Sequence, residues 1–76
     1  SHFLKKRTGI SYITYLNNLR VTHACNLLES TTLSASEICY ECGFNNKSNF
    51  IRIFTRKKGM TPIQYRKFIT QMLIKY

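Results

Sequence analysis

Gly9, Gly43, Gly59 and the single proline, Pro62, are the strongest breakers of regular structure in this chain. The stretches between them carry helical spacing. No segment alternates apolar and polar residues at the period of a half-buried strand, and no Asn-Gly or Asp-Gly hairpin pair occurs. The expectation is therefore an all-α domain of three to four helices. A chain of 76 residues has room for one such domain with a small core.

The first segment is short and basic (Phe3, Leu4, Lys5, Lys6, Arg7) and ends at Gly9, a helix-stopping residue. Residues 1–9 read as the tail of a helix. From about Ser11, an N-cap, to Glu29, Ile13, Leu16, Leu19, Ala24, Leu27 and Leu28 recur at steps of three and four, which predicts a long helix with one apolar stripe. Ser34-Ala35-Ser36-Glu37 has the form of a capping box. It opens a short helix with Ile38, Cys39 and Cys42 on the buried edge and Gly43 as its left-handed stop. Asn45 or Asn46 caps the next helix, which runs to Lys58 with Phe50, Ile53 and Phe54 as its anchor. Thr61 caps the last one, with Pro62 in the first turn and Ile63, Phe68, Ile69, Met72 and Leu73 as apolar positions.

Charge narrows the function. Twelve Lys and Arg face three acids, all Glu, for a net charge of +9. Such an excess seeks a polyanion. The only carboxylates are Glu29, Glu37 and Glu41, and the only histidines His2 and His23, so no catalytic set and no hard-metal site is legible. No cofactor is expected. Cys39-Tyr40-Glu41-Cys42 spells C-x-x-C, but with no second pair the two sulfurs read as core rather than zinc ligands. With Cys25 they make an odd count of free thiols, which suits a cytoplasmic protein. No run is long and apolar enough to span a bilayer, and the opening residues do not form a signal peptide.

From residue 42 onward there are eight basic residues and no acid. On a projection of the helix that starts near Asn46, with Phe50 facing the core, Ser48, Asn49, Arg52, Thr55 and Arg56 face outward. These side chains are of the kinds that read base edges, and Lys47 in the first turn is placed to reach a base or a phosphate. A short capped helix, a glycine turn and a second helix with this outer face make a helix-turn-helix. Ser34, Ser36 and Asn46 at helix starts, and the run Arg56-Lys57-Lys58, are phosphate candidates. Arg20 is read as a structural ion-pair partner of Glu37 or Glu41, with a phosphate contact as the alternative, and His23 as a surface or boundary side chain. A cationic amphipathic module lying on a membrane surface is the competing functional class.

The run Cys42-Gly43-Phe44-Asn45-Asn46-Lys47-Ser48-Asn49-Phe50-Ile51-Arg52-Ile53-Phe54, followed by Gly59-Met60-Thr61-Pro62-Ile63-Gln64-Tyr65-Arg66, resembles the AraC/XylS-type transcription regulators. Their pattern is GF, then S-x-F-x-R-x-F, then G-x-[ST]-P-x-x-[YF]-R. Tyr15 to Arg20 and Ala24 to Leu28 are similar to that family's linker helix, and Glu37-Ile38-Cys39 to its E-I-A. The resemblance implies a homeodomain-like helix-turn-helix domain and sequence-specific binding of double-stranded DNA, without catalysis. It implies that residues 1–9 are the tail of a first recognition helix, and 10–76 the linker plus a second helix-turn-helix unit. By position it gives Lys47, Ser48, Asn49, Ile51, Arg52 and Thr55 as base contacts, and RNA polymerase as a partner of a full-length regulator. It indicates no membrane partner and leaves the oligomeric state open. Thr55 stands where many members carry Lys, and the apolar tail from Phe68 to Tyr76 extends past the usual end.

Overall fold

The structure, a computed structural model, describes residues 11–74. The expected helix tail at 1–9 lies outside them. Four helices follow one another: α1 (Tyr12–Ser30), α2 (Ala35–Glu41), α3 (Lys47–Lys58) and α4 (Pro62–Ile74). Among the described residues there is no strand and no helix long and apolar enough to cross a membrane.

Each boundary has a local cause. Ser11 Oγ accepts from the Thr14 amide at 3.1 Å to start α1. α1 ends without a glycine; Ser30 and Thr31 turn their hydroxyls back onto the Asn26 and Leu27 carbonyls at 2.7 and 2.6 Å. The capping box of α2 is present in both directions, Glu37 N–H to Ser34 Oγ at 3.2 Å and Ser34 N–H to Glu37 Oε1 at 2.8 Å. α2 closes in a Schellman turn. Gly43 sits at φ 91°, its amide donates to Tyr40, and the Phe44 amide donates to Cys39. Of the two candidate asparagines, Asn46 caps α3, accepting from the Asn49 amide at 2.7 Å. Gly59, at φ 77°, stops it. A second capping box opens α4, where Thr61 Oγ1 accepts from Gln64 N–H and Gln64 Oε1 from Thr61 N–H.

The core is Val21, Ala24, Cys25 and Leu28 of α1, Ile38 and Cys39 of α2, Cys42 and Phe44 after it, and Phe50 and Phe54 of α3. Aromatic rings run through it in sequence. Phe44 and Phe50 centroids are 5.1 Å apart, Phe50 and Phe54 5.9 Å, Phe54 and Tyr65 5.6 Å, so the turn, α3 and α4 share one stack of tilted and edge-on contacts. All three cysteines are free and buried. Burial pushes the Cys42 thiol up to about 11 and also raises Cys39. The expected core role of the C-x-x-C sulfurs therefore stands. No set of groups among the described residues could hold a metal.

Three expectations are corrected. The single stripe of α1 is two. Its buried edge is Val21, Ala24, Cys25 and Leu28, whereas Tyr12, Ile13 and Leu19 are at least half exposed. Tyr12, Leu16 and Leu19 form their own i, i+4, i+7 row, about 160° round the helix from the core edge at 100° per residue. On α4, Ile63, Phe68 and Met72 are exposed, because α4 meets the core through Tyr65 and Pro62. Arg20 does not take the expected place beside Glu37 or Glu41; its guanidinium carbon lies over the Phe44 ring, 5.6 Å from the centroid, and its Nε is 3.3 Å from where a Cβ on Gly43 would sit.

α4 is fastened to α1 by its Tyr-Arg pair. The Tyr65 hydroxyl donates to Glu29 at 2.6 Å, and this bond, with burial, raises the tyrosine above its ordinary range. Arg66 donates from Nε to the Leu28 carbonyl (3.1 Å), from Nη2 to Thr31 (3.0 Å) and from Nη1 to Leu33 (2.7 Å). One guanidinium thus satisfies orphan carbonyls at the end of α1 and in the link to α2.

Candidate nucleic-acid interface

α3 buries Phe50 and Phe54 and turns its opposite side to solvent. Lys47, Ser48, Arg52, Arg56, Lys57 and Lys58 are exposed, and Asn49 is half-buried beside them. Ser48, Arg52 and Arg56 repeat at i, i+4, i+8, so they form a row along the outer face. α3 contains no acid, and three of its cations lie in the last turn, where they also suit the helix dipole. Within the row, the Arg52 Nη2 donates to the Asn49 side-chain oxygen.

Two of the sequence-derived base contacts do not project with this row. Ile51 is half-buried and packs against the core. Thr55 has its hydroxyl sealed from solvent without a hydrogen-bond partner. The Thr55 hydroxyl is thus turned away from the outer row that Ser48, Arg52 and Arg56 form.

Ile51 instead helps line a groove of about 500 Å³ with Ser34 and Ser36 of the α2 start, Lys47, and Thr61 to Ile63. The groove brings two capped helix starts and the first turn of α3 to one side of the molecule. The phosphate candidates Ser34, Ser36 and Lys47 therefore meet there, while the oxygens of Ser34 and Asn46 serve as helix caps. Lys57 and Lys58 lie apart, over a shallow pocket of about 340 Å³ shared with Asn18, Val21 and Thr22 of α1. His23 is exposed, as expected.

The sequence reading placed Tyr65 and Arg66 in the family motif and gave neither a partner. Their partners stand some 33 to 38 positions away, which no local pattern reveals. The Thr61-x-x-Gln64 box was readable as a capping pattern.

A model of the helix-turn-helix domain matches residues 1–67. The chain is 42% identical over 67 residues to the HTH-type transcriptional activator RhaR of Escherichia coli strain K12, covering 88% of this chain and 24% of that protein. It is also 42% identical over 62 residues to RhaR of Enterobacter sp. strain 638, covering 82% of this chain and 22% of the relative. It thus spans about a quarter of the length of these curated relatives. Among solved structures, the C-terminal domain of the two-component response regulator yesN from Fusobacterium nucleatum superposes with a TM-score of 0.78 at 38% identity, covering 87% of this chain and 64% of that one. The C-terminal domain of AraT, a response regulator from Geobacillus stearothermophilus, gives 0.81 at 35% identity, with 90% and 56% covered. With the helix order, the capped turn and the cationic outer face already described, these matches place the chain in the AraC/XylS-type helix-turn-helix family of DNA-binding transcription regulators.

Proposed function

We propose that α3 is a recognition helix that enters the major groove of duplex DNA, with α2 bracing it. The observation that carries this reading is the acid-free outer row Ser48–Arg52–Arg56, held rigid by the Phe50–Phe54 anchor beneath it. Ser48, Asn49 and Arg52 face base edges, with Lys47 at the entering end. Ile51 contributes at most a side of the groove next to Lys47. Phosphates on either side are held by Arg56, Lys57 and Lys58, and by the helix starts at Ser34, Ser36 and Asn46.

The second apolar row of α1 supports a wider proposal. A helix that buries one edge and still exposes Tyr12 and Leu19 on another, with Leu16 half-buried between them, is suited to packing on both sides. Residues 10–76 then act as linker helix plus second helix-turn-helix unit, and residues 1–9 as the tail of a first recognition helix. In a whole regulator of this kind, acting on DNA in the cytoplasm, RNA polymerase is the further partner; the likeness to a transcriptional activator supports that reading.

Fluorescence anisotropy with labelled duplex DNA tests the reading, beside sedimentation with phosphatidylserine-containing vesicles. Duplex binding that weakens with added salt is the expected result. Strong vesicle binding with no duplex binding would replace it with the membrane-surface alternative.

A further inference from the structure

The Asn49–Arg52 hydrogen bond fixes more than a rotamer. A guanidinium has donors and no acceptor, so the amide atom facing it must be the oxygen. The outward atom of Asn49 is then its NH2, a donor. Arg52 keeps its remaining N–H groups free, and they too are donors. The Asn49–Arg52 pair therefore turns mainly donors outward, beside a Ser48 hydroxyl that can donate or accept.

An adenine is read in the major groove by a side chain offering one donor and one acceptor, since its N7 accepts and its N6 donates. Asn49 turns its oxygen to Arg52, so it is poorly placed to pair that acceptor with the adenine N6 while its NH2 meets N7. Cytosine offers a donor there and is repelled by the same face. Thymine offers one acceptor beside a methyl group. Guanine offers two acceptors, O6 and N7, and is matched by a guanidinium fork held in place.

We propose that Asn49 is a positioning residue that orients Arg52 for guanine and disfavours adenine at one base pair of the site. The inference rests on α3 being the recognition helix and adds which base its centre selects. Asn49 is itself held from below, since its backbone amide is bound by the Asn46 cap one turn earlier. The guanidinium thus reaches the groove with less freedom to lose.

Selection of bound sites from random duplex DNA tests this with the full chain and its Arg52→Ala, Asn49→Ala and Asn49→Asp variants. The unaltered chain is expected to enrich guanine at one position, and Arg52→Ala to lose that enrichment. Asn49→Ala is expected to weaken it at the same position by about tenfold. Asn49→Asp keeps the acceptor for Arg52, so it retains the guanine preference while binding every sequence more weakly. In the unaltered chain, 7-deazaguanine at that position removes one acceptor and lowers affinity about tenfold. Circular dichroism melts check that the variants stay folded. A guanine preference that Arg52→Ala abolishes and Asn49→Ala leaves intact overturns the inference and spares the recognition-helix reading. A change at a different base pair in Asn49→Ala overturns it too, since Asn49 would then read a base of its own. If the unaltered chain enriches no sequence, the recognition-helix reading fails, and this inference with it.

Discussion

The Arg66 Nη1 lies 2.7 Å from the carbonyl oxygen of Leu33, the residue just before the Ser34 cap of α2. The last helix therefore holds the point from which the helix-turn-helix begins. Arg66→Ala strips three part-buried carbonyls of their donor and is expected to cost about 2–4 kcal/mol in urea unfolding. Arg66→Lys should recover less than half of that, because one ammonium cannot reproduce the fork. A loss below about 0.5 kcal/mol in Arg66→Ala would show the clamp to be idle.

Gly43 and Gly59 both have positive φ, 91° and 77°, yet alanine should be tolerated differently. At Gly59 nothing lies within 4 Å of an added Cβ, so only backbone strain remains, about 1 kcal/mol. At Gly43 the new Cβ also meets Arg20 Nε at 3.3 Å and disturbs its seat over Phe44. Gly43→Ala is expected to cost about 1 kcal/mol more than Gly59→Ala, measured as a difference in thermal unfolding. Equal losses would mean that Arg20 moves aside freely.

Stability should fall in mild alkali. Cys42 moves from an ordinary 9.0 to about 11 through burial, Cys39 moves the same way, and Tyr65 is raised from 10.0 chiefly by its bond to Glu29. Each group holds its proton more tightly when folded. The contribution from Cys42 is thus complete below about pH 9 and is lost as pH rises towards 11. Tyr65 adds its own decline above about pH 10. Urea midpoints at several pH values between 8 and 11 measure the slope, which Cys42→Ala should flatten. A midpoint that rises with pH contradicts the assignment.

The cations of α3 should act in two ways. Lys58→Ala is expected to weaken specific and random duplexes alike and to reduce the salt slope by about 1. With Lys47, Arg56, Lys57 and Lys58 on phosphates, the slope for the unaltered chain should be about −4. Arg52→Ala should instead cost about 1–3 kcal/mol on the preferred site and much less on random DNA. Equal losses on both would remove Arg52 from the bases.

The helix ends were the most legible part of this protein. Ser11, the Ser34–Glu37 box, Gly43, Asn46 and Gly59 act where their residue types predict, because caps and left-handed stops are settled within four residues. The buried face of α3 was legible for the same reason: Phe50 and Phe54 are one turn apart and both fully buried. The partition of α1 was not. Its apolar residues cover two sides, and spacing alone cannot say which side meets the core. The burial of the Thr55 hydroxyl and the reach of Arg66 depend on how separate helices dock, so neither has a local signature.

The two rows of α1 meet near Arg20, with Leu19 ending the exposed one and Val21 opening the buried one. Inserting a single residue there would twist the front half of the rod by about 100° and slide it about 1.5 Å relative to the rear. Any body gripping the front row would then be carried out of phase with α3. Point replacements at this junction leave that phase unchanged, whereas a change in its length does not, and that makes residue count within α1 the quantity that sets the bearing of one half against the other.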